Sequence, residues 1–249
     1  MEKARNIEHK KKAECFLIDL GLIEYKKAHD IQLYLVEAKR DGRLEEDVFL
    51  FLEHPPVFTL GRRGGLESLK VPVAFLESRD IQIIPVERGG NITYHGPGQL
   101  VVYPIMDLRG GGWRIPELVE ALEEVMILTV ADWGIRAERN RLNRGAWVGK
   151  SKVGSIGIAV RRSVSFHGLA LNANTNLEPF SWIHACGLHD VLVTSMKQVL
   201  GKEISMQDLR HQTALHLGRT LGVALMPVTL EFIENLLDRG AGAAGRKAS

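Results

Sequence analysis

Three stretches of the 249-residue chain bring reactive or ligand-binding residue types close together. The densest is Arg88 to Gln99, R-G-G-N-I-T-Y-H-G-P-G-Q, with four glycines in twelve positions. Glycine leaves the backbone bare, so a ligand can approach closely and meet N–H donors. Arg88, Thr93, Tyr94, His95 and Gln99 add polar side chains. The same run could be a structural loop whose glycines supply positive φ. It fits neither the dinucleotide pattern G-x-G-x-x-G nor the P-loop pattern G-x-x-x-x-G-K-[ST]. The second stretch is H-A-C-G-L-H-D, His184 to Asp190. Cys186 lies beside Gly187 and between His184 and His189, a setting that suits an accessible thiolate nucleophile. A lone cysteine is also often a small buried hydrophobe. His-x-Cys spacing occurs at zinc sites, but no second cysteine stands at ligand spacing, so no metal is expected. The third stretch is G-K-S-K-V-G-S-I-G, Gly149 to Gly157. If Lys152 opens a strand, it shares a face with Gly154 and Ile156. Partly desolvated there, it would have a lowered pKa and could act as a base; the alternative is a solvated hairpin lysine.

These residues need elements to hold them. Tyr25, Ala28, Ile31, Leu35 and Ala38 recur three or four apart, which predicts a helix over 24–39 ended by Gly42. The longest helix is expected over 116–133, ended by Gly134, with others over 72–79, 206–221 and 230–238. Apolar runs over 16–20, 47–53, 57–60, 81–86 and 99–108 read as strands, as do 135–138, 146–148 and 223–228. Residues 152–160 and 165–173 read as paired strands joined through a turn at 161–164; His167 and Gly168 lie on the second. Residues 87–98 read as a glycine-rich connection and 174–188 as irregular. Cys15 opens an apolar strand and belongs to the core. Antiparallel pairs beside long helices indicate an α+β fold in one domain. That domain is expected over 15–239, between a flexible segment 1–14 and a disordered tail 240–249.

The composition is that of an ordinary globular protein, 45% hydrophobic and 25% charged. Lys and Arg number 32 against 30 Asp and Glu, a net charge of +2 that gives no reason to expect nucleic acid. No apolar run reaches the roughly 18 residues of a membrane helix, and the charged N-terminus lacks the pattern of a signal or transit peptide. With only two cysteines, no disulfide framework exists. A cytoplasmic protein without membrane contact is expected.

R-G-G-N-I-T-Y-H-G-P-G-Q-L-V-V-Y-P-I resembles the signature of the octanoyltransferases of lipoate biosynthesis. The blocks E-H-P-P-V-F-T-L-G-R-R (Glu53 to Arg63), S-K-V-G-S-I-G-I (Ser151 to Ile158), F-H-G-L-A-L-N (Phe166 to Asn172), C-G-L and T-S-M (Thr194 to Met196) are similar to that family's other blocks, in family order, over roughly residues 15–225. The resemblance implies the fold of biotin and lipoate protein ligases, an α+β domain around a mixed, largely antiparallel sheet flanked by helices. It implies a cysteine nucleophile at Cys186, an assisting lysine at Lys152, and no cofactor. Substrate-binding positions fall on Arg88, Gly89, Gly90, Asn91, Ile92, Thr93, Tyr94 and His95, on Ser155, Ile156 and Gly157, and on Gly168, Leu169 and Ala170. His95 would position Lys152 or the acyl carbonyl. The implied partners are octanoyl-acyl carrier protein, as donor, and lipoyl domains of 2-oxoacid dehydrogenases and the glycine cleavage H protein, as acceptors. Ala185 departs from the family, which usually has proline before the cysteine. An ATP-dependent lipoate or biotin ligase shares the implied fold, but Cys186, Lys152 and the Tyr94-His95 pair speak against it. Acidic carrier partners would favour a basic rim, for which Arg139, Arg141, Arg144, Arg161 and Arg162 are the candidates.

Overall fold

The computed structural model describes residues 13–140, 143–184 and 192–245. The chain runs β1 (Ala13–Leu22), α1 (Tyr25–Arg40), β2 (Val48–Glu53), β3 (Val57–Leu60), α2 (Val73–Glu77), β4 (Gln82–Pro85), β5 (Ile92–His95), β6 (Gln99–Ile105) and α3 (Ile115–Ala131). It continues through β7 (Glu138–Arg139), β8 (Gly145–Val148), β9 (Ser151–Arg161), β10 (Val164–Asn172), β11 (Leu192–Val193), α4 (Met196–Leu200), α5 (Met206–Leu221), β12 (Val223–Pro227) and α6 (Leu230–Gly245). Among the described residues the main sheet has the order β12-β1-β2-β6-β10-β9-β8-β7, with β11 beside β9, and a small sheet has the order β4-β3-β5. β1 pairs parallel with β12 and β2, and β11 with β9; the other main-sheet pairs are antiparallel. The fold is therefore the expected α+β arrangement, a mixed, largely antiparallel sheet with helices on it.

Alternation along the central strands builds a core on each face. Phe49, Phe51, Leu100, Val102, Leu169 and Leu171 pack with Leu118, Leu122, Val125 and Met126 of α3 and with Leu209 and Leu217 of α5. Their neighbours Leu50, Leu52, Val101, Tyr103 and Ala170 face α1 through Ala28, Leu35 and Val36, and α6 through Ile233 and Leu237. The small sheet has its own core, in which Phe58, Ile92 and Tyr94 meet Leu76, Ile183 and Trp182.

Several boundaries move for non-local reasons. Residues 92–95, expected inside a connection, form β5 because they pair with β3, more than thirty positions earlier in the chain. β1 begins at Ala13, ahead of the strand expected over 16–20, because Ala13 and Glu14 pair with Val223 and Ala224. Of the strand expected over 135–138, only Glu138 pairs, with Arg139, against β8. α6 continues to Gly245, past the tail boundary expected at 239, through the strong helix formers Ala241, Ala243 and Ala244. α4 was not foreseen: Ser195 Oγ caps it by accepting from Gln198 N, and Gly201 ends it at φ +69°.

One irregularity shapes the site. The β6–β10 ladder runs from Asn172↔Gln99 to Leu169↔Val102 and stops. Continued two residues, it would set His167 against Pro104, which has no N–H to give. There β10 turns aside, with His167 at φ +55°, and the backbone groups find other partners. His167 N donates to Gln32 Oε1 of α1 at 2.7 Å. Ser165 Oγ donates to Pro104 O at 2.8 Å and accepts from Met106 N at 3.1 Å. Ser165 is fully buried, so removing its hydroxyl strands two backbone groups. Ser165→Ala should therefore lower the unfolding free energy by about 1–3 kcal/mol, read as a lower urea midpoint with an unchanged slope.

Candidate active site

The floor of the site is made by two glycines facing each other. Gly157 of β9 stands opposite Gly168 of β10. A Cβ on Gly168 would lie 2.1 Å from Val102 O, and one on Gly157 would lie 3.0 Å from both Arg88 Cδ and Gly89 O. The bare strand lets the Arg88–Asn91 loop lie flat on it, tied by Gly89 N donating to Ile158 O at 3.0 Å. Arg88 is buried and fastens the loop to β3. Its Nη2 donates to Thr59 O at 2.7 Å and Oγ1 at 2.8 Å, and its Nε to Oγ1 at 3.2 Å.

A cavity of about 530 Å³ lies over this floor. Its lining includes Arg88, Gly89, Gly90, Asn91, Ile92, Thr93 and His95, then Ser155, Ile156 and Gly157, and Gly168, Leu169 and Ala170. Thus one cavity gathers every substrate-binding residue expected from sequence except Tyr94. On β5 the side chains alternate, and Tyr94 faces away, against Phe58 and Phe180. The residues that sequence reasoning missed include Tyr25, Val101, Tyr103, Val119 and Asn143, which reach the cavity from other elements.

Lys152 also lines the cavity and is buried, not a solvated hairpin residue. Its Nζ donates to Asn143 Oδ1 at 2.6 Å and lies 5.6 Å from the centroid of the Trp147 ring. Asn143 is held by the adjoining backbone. Asn143 O accepts from Trp147 Nε1 at 3.0 Å, and Gly145 N donates to the buried carboxylate of Glu123 at 2.8 Å. Gly145 has φ +134°, and a Cβ there would meet Lys152 Cε at 2.7 Å. No side chain fits beside the lysine at that point.

Cys186 and Ala185 lie outside the described residues. The described flanks of their segment are anchored. His184 N donates to Ser68 O at 2.8 Å, and Leu192 and Val193 pair with Ser151 and Lys152. Cys15 is core as expected, and burial pushes its thiol up to about 11.

Histidines crowd behind the cavity. His95 is engaged by Gln99 Oε1, 2.7 Å from Nδ1, and by Thr59 Oγ1, 3.5 Å from Nε2, rather than by Lys152. Gln99 passes the network on to Asn172 Oδ1 at 2.9 Å, and Asn172 Nδ2 donates to Thr194 O at 3.0 Å. His54 Nδ1 donates to Ile23 O, and its Nε2 accepts from the Tyr103 hydroxyl, both at 2.8 Å. Burial lowers His54 to about 4, His167 to about 3, and His95 well below the usual imidazole range. Of the arginines expected to form a basic rim, Arg144 lines the cavity beside Arg63. Arg139 and Arg144 face Glu120, Glu123 and Glu124, and Arg161 faces Glu87 at the opposite end of β9. Arg141 lies outside the described residues.

Residues 24–218 match the family model of the lipoyl protein ligase A/B catalytic domain. The chain is 49% identical over 197 residues to an octanoyltransferase of Desulfotalea psychrophila, covering 78% of this chain and 88% of that protein. It is 46% identical over 225 residues to an octanoyltransferase of Syntrophobacter fumaroxidans, covering 90% and 98%. The chain belongs to the octanoyltransferase family. It is an acyltransferase, and its reaction is octanoyl transfer in lipoate biosynthesis. The fold of this octanoyltransferase is shared with lipoate protein ligases. A putative lipoate protein ligase from T. acidophilum with bound lipoic acid superposes with TM-score 0.68 at 18% identity, over 91% of this chain and 94% of that one. Lipoate-protein ligase A bound with ATP gives TM-score 0.68 at 16% identity, over 92% and 93%.

Two outcomes follow for the octanoyltransferase. Asn143→Ala removes a hydrogen bond to an ammonium, worth about 1.5–3 kcal/mol. Turnover should fall roughly ten- to a hundredfold, in protein that still unfolds cooperatively at a melting temperature lower by several degrees. Acid should weaken the fold through the buried histidines. His54 titrates near 6.5 when unfolded and about 4 when folded. Its contribution is therefore complete above pH 6.5 and is lost as pH falls toward 4. The urea midpoint should drop between pH 7 and pH 4.5, and less steeply in His54→Gln, whatever that variant's stability at pH 7.

Proposed function

We propose that the chain moves an octanoyl group from octanoyl-acyl carrier protein to a lysine of a lipoyl domain through a thioester on Cys186. Lys152 is the proton carrier, and the cytoplasm is the setting. The observation that carries this reading is the buried amine of Lys152 on the cavity wall, 2.6 Å from Asn143 Oδ1 and in the strand that receives Leu192 and Val193. On the cavity wall the amine is placed to exchange protons with groups reacting there.

The first transfer needs Cys186 as thiolate. Lys152 takes the thiol proton, and sulfur attacks the donor's thioester carbonyl. The tetrahedral intermediate collapses with loss of the carrier's thiolate, which recovers the proton from Lys152. One thioester replaces another of similar energy, so no ATP is needed. In the second transfer Lys152 accepts a proton from the incoming lysine amine, which attacks the Cys186 thioester, and the cysteine sulfur leaves. Backbone N–H groups of the glycine-rich loop supply donors for the oxyanion of each step. Ile156, Ile158, Leu169 and Val101 provide apolar wall for the octanoyl chain. Burial at about 0.8 kcal/mol per CH₂ gives several kcal/mol of binding. The glycine cleavage H protein and the 2-oxoacid dehydrogenases carry the lipoyl domains that serve as acceptors.

Intact mass spectrometry tests the covalent step. Mixed with octanoyl-carrier protein, the wild type should gain one octanoyl group that hydroxylamine releases. Cys15→Ala should also gain it and Cys186→Ala should not. Lys152→Ala should fold and lose about 10²- to 10⁴-fold in transfer rate, whereas Lys150→Ala should be mild. Normal turnover by Cys186→Ala overturns the covalent route, and a severe loss only in Lys150→Ala moves the base to that residue.

A further inference from the structure

Beside the acyl cavity, three side chains from distant parts of the chain converge. His29 comes from α1, Glu87 from the connection after β4, and His167 from the turned-aside stretch of β10. Glu87 Oε2 lies 3.0 Å from His29 Nε2 and 3.6 Å from His167 Nε2. One donor atom from each residue lies within 4.8 Å of the other two. The two imidazole centroids are 5.4 Å apart, with planes within 16°. A tetrahedral ion with metal–ligand distances of about 2.0–2.1 Å sets its donors about 3.3 Å apart. The two carboxylate distances bracket that value.

Independent features of His167 point the same way. It is 1% exposed, and its Nε2 is buried without a hydrogen-bond partner. A buried nitrogen left so costs free energy unless something else engages it. Its Nδ1 lies 3.4 Å from the Tyr25 hydroxyl, and its Nε2 is turned toward Glu87. Metal-bound histidines are oriented in this way by a partner on the other nitrogen. Arg161 approaches the other carboxylate oxygen, Oε1, at 3.5 Å and leaves Oε2 to the histidines. His29 and Glu87 are 21% and 33% exposed, which gives an ion a path from solvent.

We propose that His29, Glu87 and His167 form a three-ligand site for a divalent ion of the zinc type, with water as the fourth ligand. Two imidazoles and one carboxylate favour Zn²⁺ or Co²⁺ over Mg²⁺ or Ca²⁺. Because His167 also lines the acyl cavity, the ion ties α1, the Glu87 connection and β10 together at that wall. The acyl chemistry of Lys152 does not depend on it.

The test uses full-length protein freed of metal with a chelator and titrated with Co²⁺ by visible absorption and with Zn²⁺ by calorimetry. Wild type should bind one equivalent, with the d–d absorption of four-coordinate Co²⁺ and a rise in melting temperature with Zn²⁺. His29→Ala and Glu87→Gln should each weaken binding at least about tenfold and lose the rise, while melting close to metal-free wild type. Cys186→Ser should bind as wild type does. Absence of binding to wild type overturns the proposal. So does binding that survives in both His29→Ala and Glu87→Gln, or that disappears in Cys186→Ser, because the ion then sits elsewhere.

Discussion

The site depends on a place where no side chain fits. Gly157 and Gly168 face each other across β9 and β10; a Cβ on Gly168 would collide with Val102 O, and one on Gly157 would press on Gly89 O and Arg88 Cδ. That bare patch lets the Arg88–Asn91 loop lie against the sheet, and the loop in turn closes the cavity. Arg88 then spends its guanidinium on Thr59, which joins the loop to the small sheet and sets β5 beside the cavity. The arginine acts first as a brace. Lys152 belongs to the same strand as Gly157, so floor and amine are placed by one element.

Behind the floor, polar groups are buried as neutral, connected units. His95, Gln99, Asn172 and Thr194 form a chain of hydrogen bonds, and His54 is held between Ile23 and Tyr103. Neutral imidazoles with both nitrogens engaged can be buried at small cost, whereas charged ones cannot. Pro104 adds a second kind of order. By withholding an N–H it ends the β6–β10 ladder, turns His167 aside, and recruits Ser165 and Gln32 to complete the backbone bonding.

Much of this was legible in the sequence, because some constraints are local. Bare backbone is written as glycine, and the 88–99 run and the 149–157 run both proved to line the cavity. Periodicity gave α1, α3 and α5 within a residue or two. What could not be read depends on pairing at a distance. β5 exists because of β3, and the face of Tyr94 follows from that pairing. Asn143, nine positions before Lys152, has no motif of its own; it matters because β8 folds back on β9. His29, Glu87 and His167 are separated by 58 and 80 positions, so no ligand spacing reveals them. The pairing of the arginines is also non-local: α3 and Glu87 supply carboxylates that face Arg139, Arg144 and Arg161.

The fold is shared with lipoate-protein ligase A bound with ATP, so fold alone does not fix the energy source of the acyl group. On the proposed reading that source is a thioester. A thioester arrives activated, and free octanoate does not. The most direct measurement is acylation of an apo-lipoyl domain by the wild-type chain, followed by mass spectrometry with two donor systems side by side. With octanoyl-carrier protein and no ATP, the domain should gain one octanoyl group per modified lysine, at a rate that added ATP leaves unchanged. With octanoate, ATP and Mg²⁺ it should gain none. Acylation only in the second system would contradict the account and make the chain a ligase.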